Sequence, residues 1–315
     1  LYALRAPSIR PLSSFTLWSR ETWLLLNNIL LAVSLAVVLL GTLFPLIMSA
    51  LDLGSYSVGP PYFNSLFLPL MLPTLLLMAF APFLNWKRSK IKPLVLRAWY
   101  IIGLISLVVS VAVVLFVAAT YALPFSILAY VGVAVAILLV AMTIYHLCLQ
   151  IKKGASLGAG FRALSLSYWG MVLGHLGVAI TAFGITLTAV YSVQKDVRMD
   201  VGSVVDLAGY RFELQSFDQL AASNYRATRA IVQVYDAAQT LKPLYQLLPE
   251  KRFYIVSQNV MTEAAIHPRL RRDIYVSLGD QLDDGAWAVR VQIKPFVRCI
   301  SVSYTHLRAH ETQRY

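Results

Sequence analysis

The 315-residue chain is 58% hydrophobic and 13% charged, and its mean hydropathy is +0.66. Ordinary soluble domains carry about 25% charged residues, so this composition excludes a typical soluble enzyme and indicates an integral membrane protein. The formal net charge is +12. Because the basic residues are scattered over short loops, this charge is expected to reflect membrane topology rather than nucleic-acid binding.

Residues 1–20 precede the first apolar run and are predicted to be the end of an upstream helix followed by a cytoplasmic loop. The chain does not begin with methionine, and residues 1–5 resemble the last turn of a helix. Ser19 is the expected N-cap of the next helix, because its hydroxyl can accept a backbone N–H and Glu21 follows in the first turn.

Residues 21–191 form the predicted transmembrane region. Its five apolar runs each have about the 20 residues that a spanning helix needs. The predicted helices cover residues 23–49, 64–84, 98–119, 125–149 and 168–191. Pro69, Pro73 and Pro82 predict kinks in the second helix, which membrane helices tolerate when neighbouring groups satisfy the freed backbone.

The loops between these helices differ in charge, and this difference predicts the orientation. One side carries eleven basic residues and the two loops on the other side carry none. The eleven are Arg5, Arg10, Arg20, Lys87, Arg88, Lys90, Lys92, Arg97, Lys152, Lys153 and Arg162. The basic side is expected to be cytoplasmic. Five spans then put the residues after Tyr191 on the opposite side of the membrane.

The fifth predicted helix contains His175, and no charged residue lies between Arg162 and Lys195. Ionisable groups at membrane depth are costly, so they usually face a cavity, a partner helix or a ligand. Neutral imidazole is also a common axial ligand of haem iron. A hydrogen bond across a helix interface explains His175 equally well.

The residues around His175 predict a smooth helix face. Met171 and Ala179 share its face, and Gly170 and Gly174 belong to a neighbouring stripe. These small groups would allow a porphyrin or another helix to approach closely, and ordinary helix packing explains the glycines as well as a haem role does.

Other polar residues are weaker candidates for a site. His146 lies near the cytoplasmic end of the fourth helix, where it is expected to reach water. Asn27 and Asn28 are expected to form hydrogen bonds between helices, with a quinol pocket as an alternative. His267 is predicted at a surface turn.

Residues 192–293 differ abruptly from the preceding region, because they contain twelve of the fifteen acidic residues and short alternating segments. Strands are predicted at residues 211–215, 230–235, 253–256 and 287–293. The predicted fold is therefore a membrane all-α bundle of five complete helices with a small all-β domain, either a barrel or a sandwich.

The C-terminal end follows this domain at residue 294. Residues 294–298 are predicted to start a final transmembrane helix. Residues 299–315 resemble a translated sequencing adapter and are excluded from the fold prediction.

Several ordered motifs resemble the C-terminal half of CcmF, the bacterial cytochrome c haem lyase family. They are SRE at residues 19–21, GTLFP at 41–45, SVGPPYFN at 57–64, YWGMVLGHLG at 168–177, MTEAAI at 261–266 and GDQLDDGAW at 279–287. The resemblance extends over residues 1–298.

The resemblance implies a protein of the bacterial inner membrane that handles haem. Such proteins take haem from the periplasmic chaperone CcmE and promote its thioether attachment to the CxxCH motif of an apocytochrome c, which CcmH/CcmI-type subunits present. They also hold a haem b between two histidines, one at the position of His175, and quinol is a proposed electron donor. The all-β domain would be periplasmic.

The same resemblance implies that this chain alone is inactive. The second axial histidine and the tryptophan-rich haem-handling segment belong to the family's N-terminal half, which has no counterpart in this sequence. Two other functions remain open. A haem transporter or export channel should show internal repeats, and none is found; a non-catalytic scaffold of the maturation complex would need no metal ligand.

Overall fold

In the computed structural model, which describes residues 16–86, 93–237, 242–282 and 285–300, apolar helices precede a region of β-strands. The helices are α1 (Arg20–Ala50), α2 (Pro60–Phe80), α3 (Pro93–Thr120), α4 (Ile127–Ile151), α5 (Leu157–Arg162) and α6 (Leu166–Tyr191). All except α5 are long and apolar enough to cross a membrane, α2 together with a 3-10 turn at Ala81–Phe83. The predicted fold class is confirmed, whereas the predictions for residues 1–15 and 301–315 lie outside the described residues.

Local sequence signals explain where these helices begin and end. The Ser19 hydroxyl accepts the Thr22 backbone N–H at 3.3 Å, as expected for the N-cap of α1. Helix α2 begins earlier than predicted, at Pro60, because proline suits the first turn, where no N–H bond is needed. Pro69 and Pro73 lie within α2, while Pro82 lies in the 3-10 turn that follows it.

The described residues form two compact units, a helical unit within Leu1–Val111 and Val131–Ala179, and a sheet unit within Ala112–Tyr130 and Ile180–Tyr315. In the helical unit, a buried cluster joins α2, α4 and α6 and consists of Ala79, Leu139, Met142 and Ala179. The two alanines let the helix backbones approach closely, and van der Waals packing of this kind contributes to helix association in lipid.

The connection from α4 to α6 depends on Gly160. Ser156 is the N-cap of α5, and its hydroxyl accepts the Ala159 N–H at 3.2 Å. A methyl group at Gly160 would overlap the Ile151 carbonyl, which belongs to the last turn of α4. The absence of a side chain at this position therefore sets the direction in which the chain leaves α4 and enters α6.

Substitution of Gly160 by alanine should destabilise this connection by about 1–3 kcal/mol, because the added methyl overlaps backbone that cannot move freely. Gly158 in the same helix is the matched control, since a methyl there meets no atom within 4 Å. Gly158→Ala should be neutral or stabilising by up to about 1 kcal/mol. Thermal unfolding in detergent would compare them, and equal stability of both variants would contradict this account.

The sheet unit contains two antiparallel sheets. Their strands are β1 (Val193–Met199), β2 (Val204–Leu207), β3 (Tyr210–Ala221), β4 (Tyr225–Asp236), β5 (Tyr245–Leu247), β6 (Glu250–Tyr254), β7 (Asn259–Glu263), β8 (Ala265–Pro268), β9 (Arg272–Gln281) and β10 (Trp287–Pro295). One sheet has the order β1-β10-β9-β8, and the other has β2-β3-β4-β6-β7 with β5 beside β4.

Alternating side chains from both sheets form the core of this unit. Phe212 and Val232 of one sheet and Val276 and Val291 of the other are fully buried. The sequence pattern correctly predicted strands at β3, β4 and β10. The strand predicted at residues 253–256 corresponds to β6, which ends earlier because residues 255–258 form a turn. Strand β10 continues through Pro295, where the final helix was predicted to start, and the described residues 297–300 are helical.

A buried carboxylate joins β4 and β6. Glu250 is 6% exposed, and its two oxygens accept bonds from Arg229 Nε at 2.7 Å and Arg252 Nε at 2.8 Å. Burial by itself would raise the pKa of Glu250, but the two guanidinium groups outweigh burial and hold the pKa below its usual value of 4.5. The ionised carboxylate therefore stabilises this sheet.

Glu250→Gln should lower the stability of the sheet unit by about 1–3 kcal/mol at neutral pH. Because the folded-state pKa is depressed, this contribution is present above pH 4.5 and disappears as the pH falls through the folded-state value. Hydrogen exchange of β4 and β6 in the complete chain, at neutral pH and near pH 4, would measure it. Asp206→Asn, which removes an exposed pair with Arg211, should have a smaller effect; equal effects would contradict the assignment.

Candidate functional site

A cavity of about 910 Å³ lies in the helical unit and is lined by side chains of α1, α2, α4 and α6. Its wall is largely apolar, with Trp23, Leu31, Met71 and Met78 among the lining residues. Its polar lining groups include Arg20, Asn27, His146, Gln150, Tyr168 and His175. A mostly apolar wall with a few convergent polar groups, at a volume of about 300–1,000 Å³, is the usual form of a small-molecule site.

His175 lies half-buried in this wall. Its Nδ1 is 2.8 Å from the Met171 carbonyl oxygen one turn earlier, and the Met78 carbonyl of α2 also interacts with the ring. Because a carbonyl can only accept, Nδ1 carries the proton and donates to Met171. In the neutral ring Nε2 then keeps its lone pair, so this tautomer could bind a metal through Nε2.

The residues that were predicted to surround His175 lie in different environments. Met171 lines the cavity, whereas Ala179 is fully buried in the contact with α2 and α4 and does not line the cavity. Gly170 and Gly174 are exposed, and a methyl group at either position would meet no atom within 4 Å. In the described part of the chain, the glycine stripe beside His175 is therefore an open helix surface.

His146 lines the same cavity but has both ring nitrogens engaged. Its Nδ1 is 2.9 Å from the Tyr168 hydroxyl, and its Nε2 is 3.2 Å from the Gln150 amide nitrogen, while Lys153 donates to the Gln150 carbonyl oxygen at 2.7 Å. Since an amide nitrogen only donates, Nε2 accepts and Nδ1 carries the proton. His146 is 8% exposed, so the prediction that it reaches water was wrong.

The remaining candidates lie in different places. Asn27 lines the cavity, whereas Asn28 is exposed. His267 belongs to β8 of the sheet unit, where it stacks on Tyr245 with ring centres 3.8 Å apart and accepts a bond from Arg269 Nε at 3.1 Å. Burial lowers the pKa of His267, which favours the neutral ring that can accept this bond.

Sequence reasoning missed Gln150 and Tyr168, and simple helical spacing could have identified both. Gln150 follows His146 by one turn, the separation at which helical side chains meet. Tyr168 precedes His175 by two turns and therefore shares its face. The contact between Tyr168 and His146 joins two helices, and no local pattern predicts it.

The donor set limits the kinds of metal that the cavity could hold. In the described residues, no group of three or more histidine, cysteine, aspartate or glutamate side chains converges on one point. A metal bound at His175 would therefore have to bring most of its own ligands. Haem iron does so, because the porphyrin supplies four nitrogens and leaves the axial positions to the protein.

Comparison with known proteins gives matches to proteins of cytochrome c-type biogenesis. Residues 190–295 match the family described as the CcmF C-terminal beta-sandwich. Two relatives named "Cytochrome c-type biogenesis protein CcmF" match over 95% of the chain and 44% of their own length. They come from Pseudomonas aeruginosa, at 41% identity, and from Escherichia coli, at 39% identity.

A solved structure supports the fold. The chain is similar to "Cytochrome c Heme Lyase CcmF" with a TM-score of 0.69 at 17% sequence identity, over 92% of this chain and 44% of that one. The chain thus spans less than half the length of the relatives it matches. Residues 190–295 therefore carry the CcmF C-terminal β-sandwich, and the chain as a whole is similar in sequence to CcmF over 95% of its length.

Proposed function

We propose that this chain provides one axial ligand, His175, to a haem b held in the membrane by a CcmF-type haem lyase. The observation that supports the proposal is the placement of His175 on the wall of an apolar cavity with Nδ1 bonded to Met171. Nε2 therefore offers a lone pair in a segment without charged side chains.

The surrounding residues fit a haem at this position. Bound haem would supply an iron centre that changes oxidation state by one electron. The Met171 carbonyl fixes the orientation and tautomer of the His175 ring. Met71, Met78 and Val178 contribute apolar side chains to the cavity wall, and apolar surroundings would tune the potential of a bound iron.

The second axial histidine is proposed to come from the part of the family that this chain does not span. Gly170, Gly174 and Gly177 leave an exposed helix surface beside His175, and a methyl group on any of them would meet no atom within 4 Å. Another membrane helix could approach closely along this surface. His146 is a weaker candidate for the second ligand, because both of its nitrogens are already engaged.

In the complete protein, the proposed activity is the covalent attachment of haem to apocytochrome c. The relatives are named for cytochrome c-type biogenesis, and the similar structure is named a haem lyase. We propose that haem arrives from the chaperone CcmE, that CcmH/CcmI-type subunits present the apocytochrome, and that quinol donates electrons to the haem. The β-sandwich would contact these partners on the periplasmic side of the inner membrane.

Replacing His175 with alanine should remove most of the b-type absorption of the complete protein purified from membranes, because one axial bond is lost. His146→Ala is the matched control, since it removes a buried imidazole from the same cavity, and it should retain the haem. The reduced spectrum and the ratio of haem to protein measure both.

The smaller variant His175→Gly separates ligation from folding. Free imidazole should restore the b-type spectrum of this variant, because it can occupy the vacated position and bind iron, whereas a purely structural role would not be rescued. An unchanged b-type spectrum in His175→Ala would overturn the assignment of this ligand, because the haem would then be held by other residues.

The proposed orientation can be tested with single cysteines in a protein that carries Cys148→Ser and Cys299→Ser, which remove the free thiols. Val256 is 92% exposed in the turn between β6 and β7, and Ala155 is exposed between α4 and α5. In cells with an intact inner membrane, a membrane-impermeant maleimide should label Val256→Cys and leave Ala155→Cys unlabelled until the membrane is opened. The reverse pattern would refute the orientation.

A further inference from the structure

The turn between β8 and β9 combines positive charge with an exposed apolar tip. Arg269, Leu270 and Arg271 are exposed, and Leu270 is 75% exposed. The turn is closed by the Arg269 N–H, which donates to the Arg272 carbonyl at 3.0 Å. Its side chains therefore project from a fixed hairpin end.

Hydrogen bonds tie this turn to the end of a membrane-spanning helix. The Tyr121 hydroxyl donates to the Arg271 carbonyl at 3.3 Å, and Tyr121 follows the last residue of α3. The Phe296 N–H donates to the same carbonyl at 3.1 Å. The neighbouring Pro295 carbonyl accepts the hydroxyl of Thr188, in the last turn of α6, at 2.6 Å.

These contacts place the turn near the level at which the membrane ends. Both α3 and α6 are long and apolar enough to cross a membrane, so residues bonded to their ends lie close to the lipid headgroups. Tyr121 follows α3 directly and Phe125 lies just before α4, and aromatic residues are enriched at this level of membrane proteins. Phe125 is 43% exposed.

The positive charge of the turn is not neutralised by a nearby carboxylate. Asp273 is the adjacent acid, but it is 6% exposed and accepts the Arg269 backbone N–H at 3.0 Å. Arg269 Nε donates to His267, and the Arg272 guanidinium lies 4.2 Å from the centre of the Tyr210 ring. Among the ion pairs of the described residues, none includes an arginine of this turn.

We propose that the β8–β9 turn binds the phosphate of an anionic phospholipid, with Arg269 and Arg271 on the headgroup and Leu270 in the apolar layer below it. Guanidinium groups match phosphate oxygens in pairs, and basic residues at a membrane surface gain from anionic lipid. An exposed leucine between arginines suits the boundary between headgroups and acyl chains. Free phosphate could bind the two arginines in the same way. Only a lipid also provides an apolar layer for Leu270.

The test is the binding of phosphatidylglycerol and phosphatidylcholine to the complete chain in detergent, measured by native mass spectrometry. Arg269→Gln/Arg271→Gln should weaken phosphatidylglycerol binding by roughly tenfold or more and leave phosphatidylcholine binding unchanged. The double substitution keeps Arg272, whose stacking on Tyr210 supports the strand. Arg226→Gln/Arg290→Gln is the matched control, because it removes the same charge from exposed positions on β4 and β10, and it should bind like the wild type.

Leu270→Ser distinguishes the lipid from free phosphate. This variant should lose affinity for phosphatidylglycerol and keep its response to inorganic phosphate. Equal binding of phosphatidylglycerol by the wild type and Arg269→Gln/Arg271→Gln would overturn the proposal. Full competition by millimolar inorganic phosphate, with no effect of Leu270→Ser, would overturn the lipid as the ligand. Hydrogen exchange of β9 would establish that each variant keeps its fold.

Discussion

The hydrogen bond from His175 Nδ1 to the Met171 carbonyl is the interaction on which the candidate site depends. An imidazole in an apolar helix must satisfy its N–H, because an unpaired polar group in lipid costs several kcal/mol. The helix itself supplies the acceptor one turn earlier, at 2.8 Å. This bond satisfies the Nδ1–H donor, so in the neutral ring Nε2 keeps its lone pair on a residue that lines the apolar cavity. The proposed metal ligand therefore needs no other polar partner on α6.

His146 differs from His175 in how its ring nitrogens are hydrogen-bonded. Its Nδ1 and Nε2 are both bonded to side chains, and the network continues through Gln150 to Lys153. The two histidines line one cavity, yet their environments differ in whether a nitrogen remains available. Hydrogen bonding, rather than position in the cavity, therefore distinguishes the proposed ligand from a structural residue.

The sequence predicted the helices well because a spanning helix must be about 20 apolar residues long, a signal that needs no tertiary information. It predicted the glycine stripe beside His175 and the Ser19 N-cap of α1, but it did not predict the Ser156 N-cap of α5. Helix α5 was missed because six residues carry too little periodicity. Strand β9 was missed as well, although its alternation of buried and half-buried residues is clear in the structure.

The site was only partly predictable from sequence. His175 was identifiable from its charge-free surroundings, and Met171 from helical spacing. Ala179 was placed on the same face, but its contact with α2 and α4 depends on which helices are neighbours. Two hydrogen bonds join segments that are distant in sequence. One links His146 to Tyr168 of α6, and the other links Tyr121 to Arg271. Periodicity gives a residue's face, but it does not identify what that face meets.

The most direct measurement of the central claim is an experimental density map of the complete protein with its haem. The account predicts continuous density from Nε2 of His175 to the iron, with Nδ1 still bonded to the Met171 carbonyl. Iron held by two other side chains, with the His175 ring turned away from it, would contradict the account.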